Sequence, residues 1–211
     1  HVYLIGRDDQ LKVTSSVLAK TLQVSNPAVT DMARKLSRKG LVKYEKYQAL
    51  MLTPQGMAHA LQLVRRHRLW ETFLHQVLQL DLQSIHTEAE KLEHQSSDTL
   101  MAKIDDFLGH PDFDPHGDPI PSVQGLMPQQ TGVVRLSDLK VNECGKVVRT
   151  GYKTPDNTLF YDKNSIERGT ILTVVATDKT NGSLEAMNGD HRFFAGWPQA
   201  DQIYVEKINK K

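Results

Sequence analysis

The chain has 211 residues, 39% hydrophobic and 24% charged, with 26 Lys and Arg against 25 Asp and Glu. This composition excludes a disordered chain and leaves room for two or three small domains. Cys144 is the one cysteine, which excludes a disulfide framework, a thiolate zinc finger and an iron–sulfur cluster. With no apolar run near the ~18–20 residues of a membrane span and no signal pattern at the start, the expected protein is cytoplasmic and has no membrane partner.

In chain order, the first element is a short helix over Ser15–Thr21, with a Thr/Ser cap and apolar residues at Val17, Leu18 and Leu22. After Val24-Ser25-Asn26, Pro27 opens a second helix. Val29, Met32, Ala33 and Leu36 keep its spacing until Gly40 stops it. Leu41–Tyr44 and Tyr47–Leu52 read as a hairpin, and Thr53-Pro54 caps a long helix extending to about Leu80. Helix, turn, helix and hairpin in this order are the winged helix-turn-helix arrangement, against the alternative of a generic α+β domain. A further helix covers Ser84–His94, and Ser96-Ser97-Asp98 caps another with Leu100, Met101, Ile104 and Leu108 on one face. These helices suit either a contact between subunits or a monomer core, which periodicity does not distinguish.

Residues 109–130, rich in Pro, Gly and Asp, mark a domain boundary. Beyond it, the runs Lys146–Arg149, Ile171–Ala176, Ser183–Met187 and Ile203–Ile208 predict a small all-β, barrel-like module. The expected fold is mainly α with a β-rich C-terminal module. Its divisions are 1–64 (winged helix), 65–121 (helical), 122–130 (linker) and 131–211 (β module).

The near-zero net charge hides a segregation. Basic residues outnumber acidic ones by five in 1–64, acidic outnumber basic by six in 65–121, and six of nine histidines fall in that acidic segment. Within it, His86, Glu90, Glu93 and His94 share about 100° of one helix face, and His67 and Glu71 pair at i, i+4 on the preceding long helix. So many carboxylates and imidazoles repel one another and resist desolvation unless a cation sits among them, and a divalent metal meets that need. Without a thiolate, the donors suit Mn²⁺ or Fe²⁺, with Zn²⁺ able to compete. The competing reading is a solvated charged face. Zinc-peptidase chemistry lacks its motif, since Glu90-x-x-Glu93-His94 replaces His-x-x-Glu-His; no phosphate loop or nucleophile elbow occurs either.

Several segments carry a resemblance to one family. They are Ser25-Asn-Pro-Ala-Val-Thr-Asp-Met, Lys39-Gly-Leu-Val, Leu52-Thr-Pro-Gln-Gly, Arg65-Arg-His-Arg-Leu, His86-Thr-Glu-Ala-Glu-Lys-Leu-Glu-His and Asp114-Pro-His-Gly-Asp-Pro-Ile-Pro. In this order they closely resemble the diphtheria toxin repressor family, in its manganese-responsive branch. The resemblance implies a homodimeric, metal-activated repressor of metal-uptake genes that binds operator DNA and ends in an SH3-like domain. It implies that Glu90, Glu93 and His94 are ligands of a regulatory site, that His67, Glu71 and His86 are ligands of a second, and that Asp156, in the Thr154-Pro-Asp-Asn loop, adds a side chain to the second. Glu90 stands where iron-responsive members typically carry Cys, which favours Mn²⁺, with Fe²⁺ as the alternative. The family's first-helix ligands would fall just before His1, which matches no ligand position.

For DNA, the helix from Pro27 is expected in the major groove, with Ser25, Pro27, Ala28, Thr30 and Asp31 near bases or backbone. Arg34, Lys35, Arg38, Lys39, Lys43 and Lys46 are candidates for phosphate contacts, against the alternative of a solvated face. The rival function is a metal-dependent hydrolase or metal-buffering protein that carries a winged helix.

Overall fold

Capping side chains set where the N-terminal helices begin. The computed structural model describes residues 1–8, 13–45, 48–82, 84–151 and 155–208. Residues 30–129 form one compact unit, and residues 1–29 with 130–211 the other. Helix α1 (Val2–Asp8) precedes α2 (Ser15–Leu22), where the Thr14 hydroxyl accepts from the Val17 N–H at 3.3 Å. α2 ends at Gln23, left-handed with φ 53°, and the Val24 N–H bonds back to the Ala19 carbonyl. Ser25 then accepts from the Ala28 N–H at 3.3 Å at the start of α3 (Asn26–Arg38), with Pro27 in the first turn, where a missing N–H goes unnoticed. α3 buries Val29 and Ala33 and stops at Gly40, whose φ of 71° a side chain would resist.

The wing is shorter than its sequence runs. β1 (Val42–Lys43) and β2 (Met51–Leu52) pair antiparallel, Val42 opposite Leu52. Between them Glu45 takes a backbone bond from Gln48 at 3.1 Å and a side-chain bond at 2.6 Å, so these groups are satisfied locally instead of across the ladder. Thr53 joins the wing to α4 (Pro54–Gln76). Its hydroxyl donates to the Gly40 carbonyl at 2.6 Å and accepts from the Gly56 N–H at 3.0 Å. Gly56 has no alternative, because a Cβ there would lie 1.8 Å from the Leu41 carbonyl oxygen.

α4 ends at Gln76, short of the expected Leu80. Gln79 turns left-handed (φ 56°), and Leu80 folds back so that its N–H reaches the Leu74 carbonyl and its carbonyl the His75 ring. α5 (Ile85–Glu93) lays Ile85 and Ala89 against Leu74, under Trp70 and Leu92. α6 (Asp98–Phe107) packs Met101 and Ile104 on Leu69 and Ile120. Each such fully buried Leu or Ile contributes about 1.5–3 kcal/mol. The Trp70 indole N–H is satisfied by Ser96 Oγ at 2.7 Å.

Residues 133–208 form an antiparallel sheet in the order β3-β8-β4-β5-β6-β7. Its strands are β3 (Val133–Arg135), β4 (Cys144–Thr150), β5 (Ile171–Asp178), β6 (Ser183–Asn188), β7 (His191–Gly196) and β8 (Ile203–Ile208). Alternate residues Leu172 and Val174, Leu184 and Ala186, Phe193 and Ala195, and Ile203 and Val205 fill the core. The module is not purely β. α7 (Pro155–Lys163) and α8 (Trp197–Ala200) interrupt it, and the segment expected as a loop at 155–157 is the first turn of α7. Tyr161 and Phe160 pack on the sheet core, which stabilises a helix that the local sequence scarcely favours.

Candidate metal centre and nucleic-acid interface

The small side chain of Ala89, fully buried, lets α5 lie close on α4, and the residues one step round each helix then face one another. Spacing of four on α4 and seven on α5 places His67, Glu71, His86 and Glu93 at this seam. His67 Nδ1 lies 2.7 Å from Glu93 Oε2, and His67 Nε2 lies 2.9 Å from His86 Nδ1 and 3.1 Å from Glu71 Oε1. His86 Nδ1 is 3.2 Å from the same Glu71 oxygen, and one ligand atom from each of His67, Glu71 and His86 falls within 4.8 Å of the others.

Glu71 and Glu93 are only 3% and 6% exposed. Among the described residues, every ion-pair partner of these two carboxylates is a histidine. Burial alone would drive the His67 imidazolium down, but hydrogen bonds and charge from Glu71 and Glu93 override it and push its pKa up to about 9. Burial likewise works to raise Glu71, yet hydrogen bonds to His67 and His86 and the charges of His67 and His116 hold it well below the usual carboxylate range. The core of the cluster is thus two buried carboxylates whose partners are imidazoles, in a desolvated place. Hard oxygens and borderline nitrogens so gathered fit a divalent cation.

The regulatory trio of the sequence reading is less compact. His94, 61% exposed, reaches Glu93 Oε1 at 3.2 Å, so Glu93 touches His67 with one oxygen and His94 with the other. Glu90 is exposed on α5. Asp156 lies in the first turn of α7, and its side chain is outside the described residues.

The sequence reading missed His116. Its Nε2 stands 3.9 Å from Glu71 Oε1, brought there by a loop that folds on its own carboxylate. Asp114 Oδ1 accepts from the His116 and Asp118 N–H groups, each at 2.9 Å. Buried Arg68 clasps the loop, donating to the Pro119 carbonyl and facing Asp118 at 3.4 Å and Asp114 at 3.7 Å. Burial, with the charges of Asp118 and Glu71, pushes the Asp114 carboxyl well up despite Arg68. The Asp-Pro-His-Gly-Asp turn signal was visible, but nothing local showed which helix the loop would return to.

On the N-terminal side, Ser25, Pro27, Ala28, Asp31, Arg34, Lys35, Arg38 and Lys39 are exposed on or beside α3, with Lys43 exposed on β1 and Thr30 half-buried. Met32 keeps helical spacing with Val29 and Leu36 but is 54% exposed. Lys46 lies outside the described residues.

Comparisons with known proteins place the chain in a family. A family profile described as the iron dependent repressor, N-terminal DNA binding domain, matches residues 1–50, and one described as the iron dependent repressor, metal binding and dimerisation domain, matches 53–122. A solved manganese-dependent transcriptional repressor in complex with manganese is 35% identical, with a TM-score of 0.78, over 98% of this chain and 96% of that one. The chain belongs to the diphtheria toxin repressor family. An uncharacterised helix-turn-helix transcriptional regulator of Methanocaldococcus jannaschii is 36% identical over 107 residues, 51% of this chain and 86% of that protein. The diphtheria toxin repressor of Corynebacterium glutamicum is 33% identical over 130 residues, 60% of this chain, but the match spans only 57% of that repressor.

Family membership accounts for both halves of the charge segregation: the basic segment belongs to a DNA-binding domain and the acidic one to a metal-binding and dimerisation domain. The fold is that of these repressors, helix-turn-helix first and SH3-like sheet last. Repressors of this family are not enzymes, which sets the hydrolase reading aside. No described helix is long and apolar enough to cross a membrane.

Proposed function

We propose that this protein is a manganese-responsive repressor of metal-uptake genes, acting in the cytoplasm as a homodimer on operator DNA. The coarser statement, a metal-dependent DNA-binding repressor that takes a divalent ion, follows from the family. The observation that carries the finer one is the pair of buried carboxylates whose ion-pair partners, among the described residues, are imidazoles, with no thiolate in the set. Such donors favour a hard to borderline ion. The similarity to a manganese-dependent repressor points the same way. Fe²⁺ is the alternative ion, kept in play by similarity to iron-dependent repressors such as that of Mycobacterium tuberculosis.

In this reading His67, Glu71 and His86 hold one ion, with His116 beside them. Glu90, Glu93 and His94 hold the regulatory one. A bound ion would place positive charge between the two buried carboxylates, and the α4–α5 seam is already folded around that place. The working divisions are 1–64 for DNA, 65–121 for metal and dimerisation, 122–130 as linker and 131–211 as SH3-like domain. α4 runs unbroken across the first boundary. A change at the metal seam therefore acts on the same rigid helix whose first turn Thr53 ties to the wing.

Operator binding measured with Mn²⁺, Fe²⁺ or chelator, for the natural chain and Glu93→Ala, tests the proposal. Tight binding with Mn²⁺, lost with chelator and in the variant, is expected. Binding indifferent to both metal and substitution would refute it, and activation by Fe²⁺ but not Mn²⁺ would move the protein to the iron branch.

A further inference from the structure

The exposed face of α3 carries an arrangement that phosphate binding does not explain. Opposite buried Val29 and Ala33, the helix presents Ala28, Asp31, Met32, Lys35, Arg38 and Lys39. Among these, Asp31 is the lone carboxylate. A negative charge on the helix that a helix-turn-helix protein inserts into the major groove opposes binding to any DNA, since every sequence brings the same phosphates. It becomes favourable only where a base offers it a hydrogen-bond donor.

Asp31 does not point out alone. Lys35 Nζ lies 2.8 Å from Asp31 Oδ2, with the two side chains 56% and 60% exposed, so one turn of α3 displays an acceptor and a donor side by side. The hydrogen bond from Lys35 holds the Asp31 carboxyl below its usual range, so it remains an acceptor. A Watson–Crick pair shows the complementary pattern at the same spacing. In a C·G pair the cytosine N4 amine and guanine O6 are hydrogen-bonded to one another and so stand about 2.9 Å apart in the major groove.

We propose that the Asp31–Lys35 ion pair is the base-reading element of α3 and selects a C·G pair in each operator half-site, Asp31 accepting from cytosine N4 and Lys35 donating to guanine O6 and N7. The inference rests on the reading of the chain as a DNA-binding repressor. An A·T pair also sets an amine beside a carbonyl, but it fits worse at both ends. Adenine N7, an acceptor, flanks the amine and repels the carboxylate, while thymine leaves the ammonium a single acceptor next to a methyl group. T·A and G·C pairs reverse the order and set acceptor against acceptor.

The test is selection from a pool of random-sequence duplexes by the full chain with Mn²⁺, as the natural sequence and as Asp31→Asn and Lys35→Met. Both side chains are exposed, and thermal melting should show all three proteins equally folded. The natural chain is expected to require C·G at one position of each half-site, and replacing that pair by T·A should weaken binding roughly 5- to 150-fold. Asp31→Asn should move the preference at that position to A·T, because an amide pairs with adenine N6 and N7, and leave other positions unchanged. Lys35→Met should narrow the C·G preference there. If Asp31→Asn enriches the same base at every position, or shifts all sequences equally, the ion pair does not read bases and the proposal falls while the repressor reading stands. A natural chain that enriches no sequence removes both.

Discussion

The protonation of His67 yields a quantitative expectation for metal binding. Both ring nitrogens are occupied, Nδ1 by Glu93 at 2.7 Å and Nε2 by Glu71 at 3.1 Å. Against the opposing effect of burial, these carboxylates raise its pKa from 6.5 to about 9. A divalent ion held through His67 needs the neutral ring, so one proton must leave on binding. At pH 7 that proton lies two units below its pKa, and its removal costs about 2.7 kcal/mol. Apparent Mn²⁺ affinity should therefore rise about tenfold per pH unit from about pH 6.5 to 8.5 and level off above about 9. The metal-free fold should show the opposite trend. Because the folded pKa exceeds the unfolded one, this stabilisation is fully present below pH 6.5 and is lost as pH rises through 9, with a span of about 3 kcal/mol. Calorimetric Mn²⁺ titrations in two buffers of different ionisation enthalpy, repeated across this pH range, count the released proton; urea unfolding in chelator follows the stability. An affinity independent of pH with no proton released would refute the reasoning, as would a His67→Gln variant that keeps the slope.

Three further outcomes follow from particular contacts. Arg68→Leu leaves Asp114 and Asp118 without their buried cation and should cost about 3–5 kcal/mol in urea unfolding, while a variant as stable as the natural chain would show that the loop is held otherwise. Gly56→Ala drives a methyl group into the Leu41 carbonyl and should destabilise by about 3 kcal/mol, read as a lowered melting temperature. Arg34→Ala, Arg38→Ala or Lys39→Ala should each weaken operator and non-operator DNA alike and lower the salt-dependence slope by about one if the residue touches phosphate; an unchanged slope marks it as solvated.

The helical half was legible because its signals are local. Thr14, Ser25, Thr53 and Ser97 all cap where their side-chain chemistry says they should, and Pro27 and Gly40 bracket α3. The meeting of His67, Glu71, His86 and Glu93 was legible for the same reason, since spacing on a helix dictates which side chains share a face. Tertiary effects were not. Met32 keeps helical spacing with Val29 and Leu36 yet lies exposed. The sequence reading left β3 and β7 unassigned, although β7 pairs with β6 along its whole length, from Ser183 opposite Gly196 to Asn188 opposite His191. Its sequence, His-Arg-Phe-Phe-Ala-Gly, shows no clean alternation because Phe194 faces outward beside buried Phe193. α7 depends on Phe160 and Tyr161 meeting a sheet that no local pattern announces.

His116 shows how the two kinds of information combine. Along α4, His67 and Glu71 face the α5 seam, while Arg68, one residue on, faces the Asp114–Pro119 loop. One turn of one helix thus holds half of the His–Glu cluster and the clasp of the loop, and the Glu71 charge is felt by both His67 and Asp114. Positive charge added at the seam would relieve Asp114 as well as Glu71, so an ion held there would also favour the loop in the position where His116 stands 3.9 Å from Glu71. With an ion held at Glu71 as proposed, loop position and ion binding would be coupled through that carboxylate, and the coupling would be reciprocal: Arg68→Leu should weaken apparent Mn²⁺ affinity by the same factor that chelation loosens the loop, and an affinity unchanged in that variant would refute the coupling.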